Sequence, residues 1–196
     1  MSKSKQKLTY LRLNDTLCAT YESASTRRYH YGRVDSIRAS HPEALTWAKT
    51  MLDESQTKDK KKELFRAAIT KQTKIMLDNI FAEGLDIPLL GLKNACLEIW
   101  PDEKLELFED PTFTNSGLFK LSTSQIPIPL KDSFMGYGAV VPDGYGVSYN
   151  LQNDTVTFAI SSFFSCRDTD SRRFAQAVDL SLKEMKELFT VEKSEE

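Results

Sequence analysis

Apolar and polar positions change rhythm near the middle of the chain. In the first half the apolar residues recur at helical spacing. Residues 4–13 carry Leu8, Leu11 and Leu13 on one side, as the tail of an amphipathic helix, and Asn14-Asp15 stops the run. Pro42 stands where a first helical turn tolerates proline. The helix it opens, His41 to Leu52, should bury Leu45, Trp47 or Ala48, and Leu52. A charged stretch, Asp53 to Lys62, reads as a solvated loop entering a helix from about Asp59 to Ala82, whose apolar stripe is Leu64, Ala68, Ile75, Met76, Ile80 and Phe81. Gly84 ends that helix, Pro88 begins another to Trp100, and Pro101 closes it.

The second half alternates instead. Phe119-Lys-Leu-Ser-Thr123 is a strand candidate, and Gly136 to Val141 carries small and β-branched residues up to Pro142. Asp143-Gly144 is a turn signal, and Tyr145–Leu151 with Thr155–Phe163 forms a hairpin pattern around Asn153-Asp154. Asp168-Thr169-Asp170 can cap a last helix with the face Phe174, Val178, Leu182, Met185 and Leu188/Phe189. The expected fold class is α/β, helices packed on a mixed β-sheet as one layered domain over residues 1–190, with a frayed acidic tail at 191–196.

One segment follows neither rhythm. Tyr21 to Arg38 packs four arginines, three tyrosines and many small hydroxyls together, with Ala24, Val34 and Ile37 as its aliphatics. It reads as a loop-and-strand surface facing polar ligands. The 196-residue chain is long enough for one sizeable core, and its net charge of −2 gives no global field for nucleic acid or anionic lipid. No apolar run approaches a membrane span, and Met1 to Lys7 lacks the apolar core of a signal peptide. Cys18, Cys96 and Cys166 are odd in number and far apart, which fits a reducing, cytoplasmic compartment and implies neither a metal site nor a disulfide framework.

Three motifs now fall together: Tyr21-Glu-Ser-Ala-Ser25 with Gly32-Arg33-Val34, then Leu121-Ser-Thr-Ser-Gln-Ile-Pro127, then Val140-Val-Pro-Asp-Gly-Tyr-Gly146. In this order they resemble the choline/carnitine O-acyltransferase family, and the resemblance spans about Leu8 to Leu188. It implies a coenzyme A-dependent acyltransferase-like domain, the second half of a two-domain enzyme, with acetyl-CoA as co-substrate and no permanently bound cofactor. Acyl transfer from a thioester to an alcohol needs a base, an oxyanion donor and two positioned substrates. The resemblance assigns the oxyanion to Ser124, contact with the pantetheine arm to Gln125, and a cofactor-side place to Ser25. It puts Tyr21, Ser23 and Ser122 beside the acceptor.

The resemblance also leaves gaps. The family's catalytic histidine lies in the other half of a longer chain, and neither His30 nor His41 matches its position. Arg33 matches an arginine that pairs with a glutamate near that histidine, so it would orient a half-site that is absent here. Arg27, Arg28 and Arg38 could hold phosphate or tie down loops. The expectation is a C-terminal portion whose partner is the missing N-terminal half and which is inactive alone. A carnitine-using enzyme and a non-catalytic truncated isoform that only binds partners stay open.

The acceptor is read from departures. Carnitine-using members resemble Gly-Arg-Thr where this chain has Val34, and carry arginine where it has Ile87, so two groups that would hold a carboxylate are missing. The chain therefore resembles the choline-using members. Tyr137, within Gly-Tyr-Gly, would lie against the trimethylammonium group, and Met135 would block the tunnel used by long acyl chains, leaving acetyl as the acyl group.

Overall fold

The computed structural model describes residues 12–13, 16–130 and 133–190. Two short strands, β1 (Arg12–Leu13) and β2 (Thr16–Leu17), pair with each other. The end of the expected first helix is therefore extended, and its remainder lies outside the described residues, as does the acidic tail.

The main sheet holds β3 (Thr20–Ser25), β4 (Val34–Ile37), β5 (Leu121–Gln125), β6 (Tyr145–Leu151) and β7 (Val156–Ser161) in the order β4-β3-β5-β6-β7. The outer pairs are antiparallel hairpins, and β3–β5 and β5–β6 are parallel. This is the expected mixed α/β architecture.

Parallel neighbours need long crossovers. The first runs from β4 to β5 through α1 (Pro42–Leu52), α2 (Lys58–Ile80), α3 (Asp86–Ile99), α4 (Glu106–Glu109) and α5 (Pro111–Ser116). The short α4 and α5 have no sequence counterpart above, because neither is long enough to show a period. The second crossover, from β5 to β6, contains no helix among its described residues. A final helix, α6 (Ser171–Phe189), follows β7.

Local chemistry fixes the helix ends. His41 caps α1 through Nδ1, which accepts from the Ala44 amide at 3.2 Å, and Pro42 fills the first turn. Thr57 caps α2 by accepting from the Lys60 amide, so the solvated loop is shorter than its charge suggested. Past α2, Ala82 takes a left-handed φ of 59°. Leu85 offers α3 no side-chain cap. Instead Asp35 of β4 accepts from the Ile87 amide at 3.3 Å. Asp170 caps α6 by accepting from the Arg172 and Arg173 amides.

Register assigns every strand residue to a face. On one face Ala24, Ile37 and Val147 are buried, together with Ala68 of α2 and Phe174 and Leu188 of α6. Tyr145 meets Phe174 on this face with ring centroids 4.6 Å apart. Trp47, Phe65 and Phe189 link α1, α2 and α6 by contacts of 5.1 and 5.0 Å. Phe65 thus takes a packing place, while Met76 and Phe81, expected in the stripe of α2, are exposed. The helices lie on this face. The other face carries the candidate site.

Candidate active site

The open face of the sheet is built from small hydroxyls. Pairing aligns Tyr21 with Ser122, Ser122 with Gly146, Ser124 with Ser148, Gly146 with Ser161 and Ser148 with Ala159. On the other side Ser23 pairs with Ser36, and Ser25 with Val34. Two motifs a hundred residues apart in sequence thus become adjacent parallel strands. Side chains this small leave room for a second layer.

The helix-free crossover forms that layer over β6 and β7. Asn150 holds it at one end, donating through Nδ2 to Ile128 O at 3.0 Å and accepting from the Ile128 amide at 3.3 Å. Ser148 Oγ donates to the main-chain oxygen of Met135. Ser161 Oγ donates to Tyr137 O at 2.6 Å. The segment around Gly136 to Val141, noted for its strand-like residues, is consequently irregular through Ala139. Its polar atoms bond to serine side chains of the sheet in place of a neighbouring strand.

This arrangement seats Tyr137. Its half-buried hydroxyl lies 2.9 Å from Ser122 O and 3.1 Å from Val147 O. Burial, followed by the negative charge of Glu22 and by Tyr21, raises its pKa despite those bonds. Tyr21 is shifted the same way by burial first and by Asp35 second. Its ring meets Phe119 at 5.2 Å, and Phe119 carries the Arg38 guanidinium 5.3 Å above its centre.

Met135 and Phe134 line a shallow cleft with Ile126, Ser148, Asn150 and Thr157. Ser122 is buried, Ser124 half-buried, and Ser25 and Gln125 are exposed. Among the described residues nothing hydrogen-bonds to the Ser124 hydroxyl. Val34 and Arg33 are exposed at the start of β4, and Ile87 is exposed on the first turn of α3 beside that strand.

The other arginines divide. Arg38 grips both carboxylate oxygens of Asp86 at 2.9 and 2.6 Å and donates to Ser116 O at 2.8 Å, so it ties down loops. Arg28 lies over the Phe81 ring at 5.5 Å. Arg27 is exposed.

Neither histidine is presented as a base on this face. His30 packs on Tyr31 at 4.1 Å in the exposed turn between β3 and β4. His41 is buried at its capping position, with Nδ1 also 3.1 Å from Glu43. Among the described residues no cluster of His, Cys, Asp or Glu could hold a metal ion, and no helix is long and apolar enough to cross a membrane.

Sequence reasoning missed Glu22, Thr123 and Tyr149, which bond to one another on the helix side of β3, β5 and β6. Their signal was present but unreadable: alternation sends Thr123 to the face opposite Ser122 and Ser124.

The Choline/Carnitine o-acyltransferase family matches over residues 6–179. Choline O-acetyltransferase of Drosophila melanogaster is 45% identical over 204 aligned residues, covering 92% of this chain and 28% of that protein. Choline O-acetyltransferase of Sus scrofa is 43% identical, covering 95% and 29%. Carnitine O-acetyltransferase of Homo sapiens is 40% identical, covering 92% and 29%. The chain spans under a third of the length of these relatives. With the family matched along most of its length, this chain belongs to the choline/carnitine O-acyltransferases.

Proposed function

We propose that these residues form the acceptor and oxyanion wall of an enzyme that moves an acetyl group from acetyl-CoA to choline. The observation carrying this reading is the parallel pairing of β3 with β5, which aligns Tyr21 with Ser122 and lets Tyr137 bond to the same strand. Ser124 donates to the oxyanion of the tetrahedral intermediate. Tyr21, Ser23 and Ser122 contact the alcohol. The Tyr137 ring takes the trimethylammonium group, a contact worth about 0.5–2 kcal/mol. Its hydroxyl bond to Ser122 O keeps the ring over the strand that carries Ser124.

Ser25 is exposed at the end of β3 on the open face, where a pantetheine arm can reach it and deliver the thioester to Ser124. Gln125, exposed at the end of β5, alternates to the side of Thr123 and meets the arm where it rounds the strand end. Met135, bonded through its main chain to β6, limits the acyl group to acetyl. The base is a histidine outside these residues, and Arg33 orients the half that bears it through a carboxylate there. Alone, the 196 residues are inactive. The three thiols are free and half-buried, which suits a cytoplasmic enzyme.

Carnitine is the competing acceptor, because a carnitine O-acetyltransferase is nearly as similar as the choline enzymes. Val34 and Ile87 argue against it, since both are aliphatic where a carboxylate would need a partner. The test is the ratio of kcat/KM for the two acceptors in the full-length polypeptide that carries these residues. Choline should be preferred, and Val34→Thr with Ile87→Arg should move the ratio toward carnitine by at least about tenfold. A wild-type preference for carnitine, or an unmoved ratio, would refute the choline assignment. Turnover by the isolated 196 residues would refute the need for an external base.

A further inference from the structure

We propose that Glu22 is a positioning residue for Ser124, acting from the opposite side of the sheet through Thr123 and Tyr149. The proposal rests on the function given above, and the brace itself stands on geometry alone. Thr123 Oγ1 donates to Glu22 Oε2 at 2.9 Å, and the Tyr149 hydroxyl donates to Glu22 Oε1 at 2.6 Å. Thr123 Oγ1 also lies 3.3 Å from Tyr21 O. One carboxylate on β3 therefore ties β5 and β6, the two strands beyond it.

The position of each member matters. Glu22 lies between Tyr21 and Ser23, and Thr123 between Ser122 and Ser124. Alternation turns the two braced residues away from the face that carries their neighbours. The hydroxyls proposed to hold the oxyanion and the alcohol thus share a backbone with a network that cannot touch either substrate. Each carboxylate oxygen of Glu22 accepts a hydrogen bond from a hydroxyl, and hydrogen bonds to a carboxylate are about twice as strong as neutral ones. Tyr149 is suited to the donor role: burial and the adjacent Glu22 push its pKa well above the ordinary tyrosine value, so it keeps its proton.

The catalytic consequence is geometric. A donor misplaced by about 1 Å can cost on the order of a hundredfold in rate. Loosening β5 by a fraction of that distance should therefore lower kcat more than it raises either KM. A purely structural role would lower the amount of folded protein without changing kcat per folded molecule. A role as a through-sheet counter-charge for the ammonium would raise the KM for choline instead.

The experiment uses the full-length polypeptide with Glu22→Gln, Thr123→Val, Tyr149→Phe and Thr123→Ser. Hydrogen exchange of the peptide containing residues 121–125 reads the brace without reference to activity. Glu22→Gln and Thr123→Val should speed its exchange at least about tenfold and leave the α6 peptide unchanged. In acetyl transfer from acetyl-CoA to choline, both variants should lose about tenfold in kcat with either KM within about twofold. Thr123→Ser, which keeps the hydroxyl, should restore both readouts. Tyr149→Phe, which leaves Thr123 in place, should show a smaller loss of the same kind, and it decides the matter if Glu22→Gln fails to fold. Unchanged exchange in residues 121–125 overturns the brace, and accelerated exchange with unchanged kcat overturns the positioning role. If the wild-type polypeptide does not acetylate choline, the function proposed above falls, while the exchange measurement still decides the brace.

Discussion

Replacing Gly146 with alanine should destabilise the protein by about 2 kcal/mol, and the reason lies in the layer above the sheet. A Cβ at this position would lie 2.7 Å from Ser161 Oγ, 2.8 Å from Gly138 O and 2.9 Å from the Gly138 carbonyl carbon. Ser161 could rotate, but its hydroxyl bonds to Tyr137 O and Gly146 O. Gly138 is main chain and must move as a body. To reach ordinary contact at 3.4 Å its oxygen must retreat by about 0.6 Å. That movement pulls on Tyr137 and its 2.9 Å bond to Ser122 O.

Overpacking of this kind costs about 1–3 kcal/mol, and one weakened hydrogen bond adds about 1. The lost freedom of the unfolded chain returns about 0.4–1 kcal/mol to the alanine variant. The net loss of about 2 kcal/mol corresponds to a fall of about 4–8 °C in Tm for a chain of this size. Gly138→Ala is the matched control, since a Cβ there meets nothing within 4 Å. It should stay within about 0.5 kcal/mol of wild type. Urea unfolding of the three proteins makes the measurement. A Gly146→Ala variant as stable as wild type, or a Gly138→Ala variant equally damaged, would falsify the claim that the crossover is seated tightly on Gly146.

Ser124→Ala should lower kcat for acetyl transfer by about 10²–10³ with little change in Tm, as loss of one oxyanion donor does. An effect under about fivefold would remove Ser124 from that role. Alkali should weaken the fold through its tyrosines. Tyr21, Tyr137 and Tyr149 all have folded pKa values raised above the ordinary 10.0, with burial as the first cause. A raised value means that the folded state holds its protons longer, so this contribution is complete below about pH 10 and is lost as pH climbs through the folded values. Absorbance at 295 nm should show tyrosine ionisation still incomplete above pH 10 in the folded protein, and Tyr137→Phe should flatten the fall in stability above pH 10. Simultaneous ionisation of all seven tyrosines near pH 10 in the folded protein would contradict the assignment.

The sequence by itself determined the elements with strong local signals. Pro42, Pro101 and Asp170 punctuate helices through backbone sterics and caps, which act within one turn and need no distant partner, whereas Gly84 lies past the end of α2 and makes room for the distant Asp35. The alternation of Tyr145–Leu151 and the turn at Asn153-Asp154 likewise specified the last hairpin. The three motifs were legible because their residue types and order are unusual, whatever their neighbours. Faces and neighbours were decided only in three dimensions. Met76 and Phe81 fit a helical stripe as well as Phe65 does, yet Phe65 packs between Trp47 and Phe189 while those two face outward. Ser122-Thr-Ser124 reads as a single set of three hydroxyls, and the sheet divides it, with two on the open face and one bonded to Glu22. Serine and threonine are small and amphiphilic, so their pattern favours neither a buried nor an open face. It is the parallel pairing of β5 with β3, a contact made across a hundred residues, that gives each hydroxyl its side of the sheet.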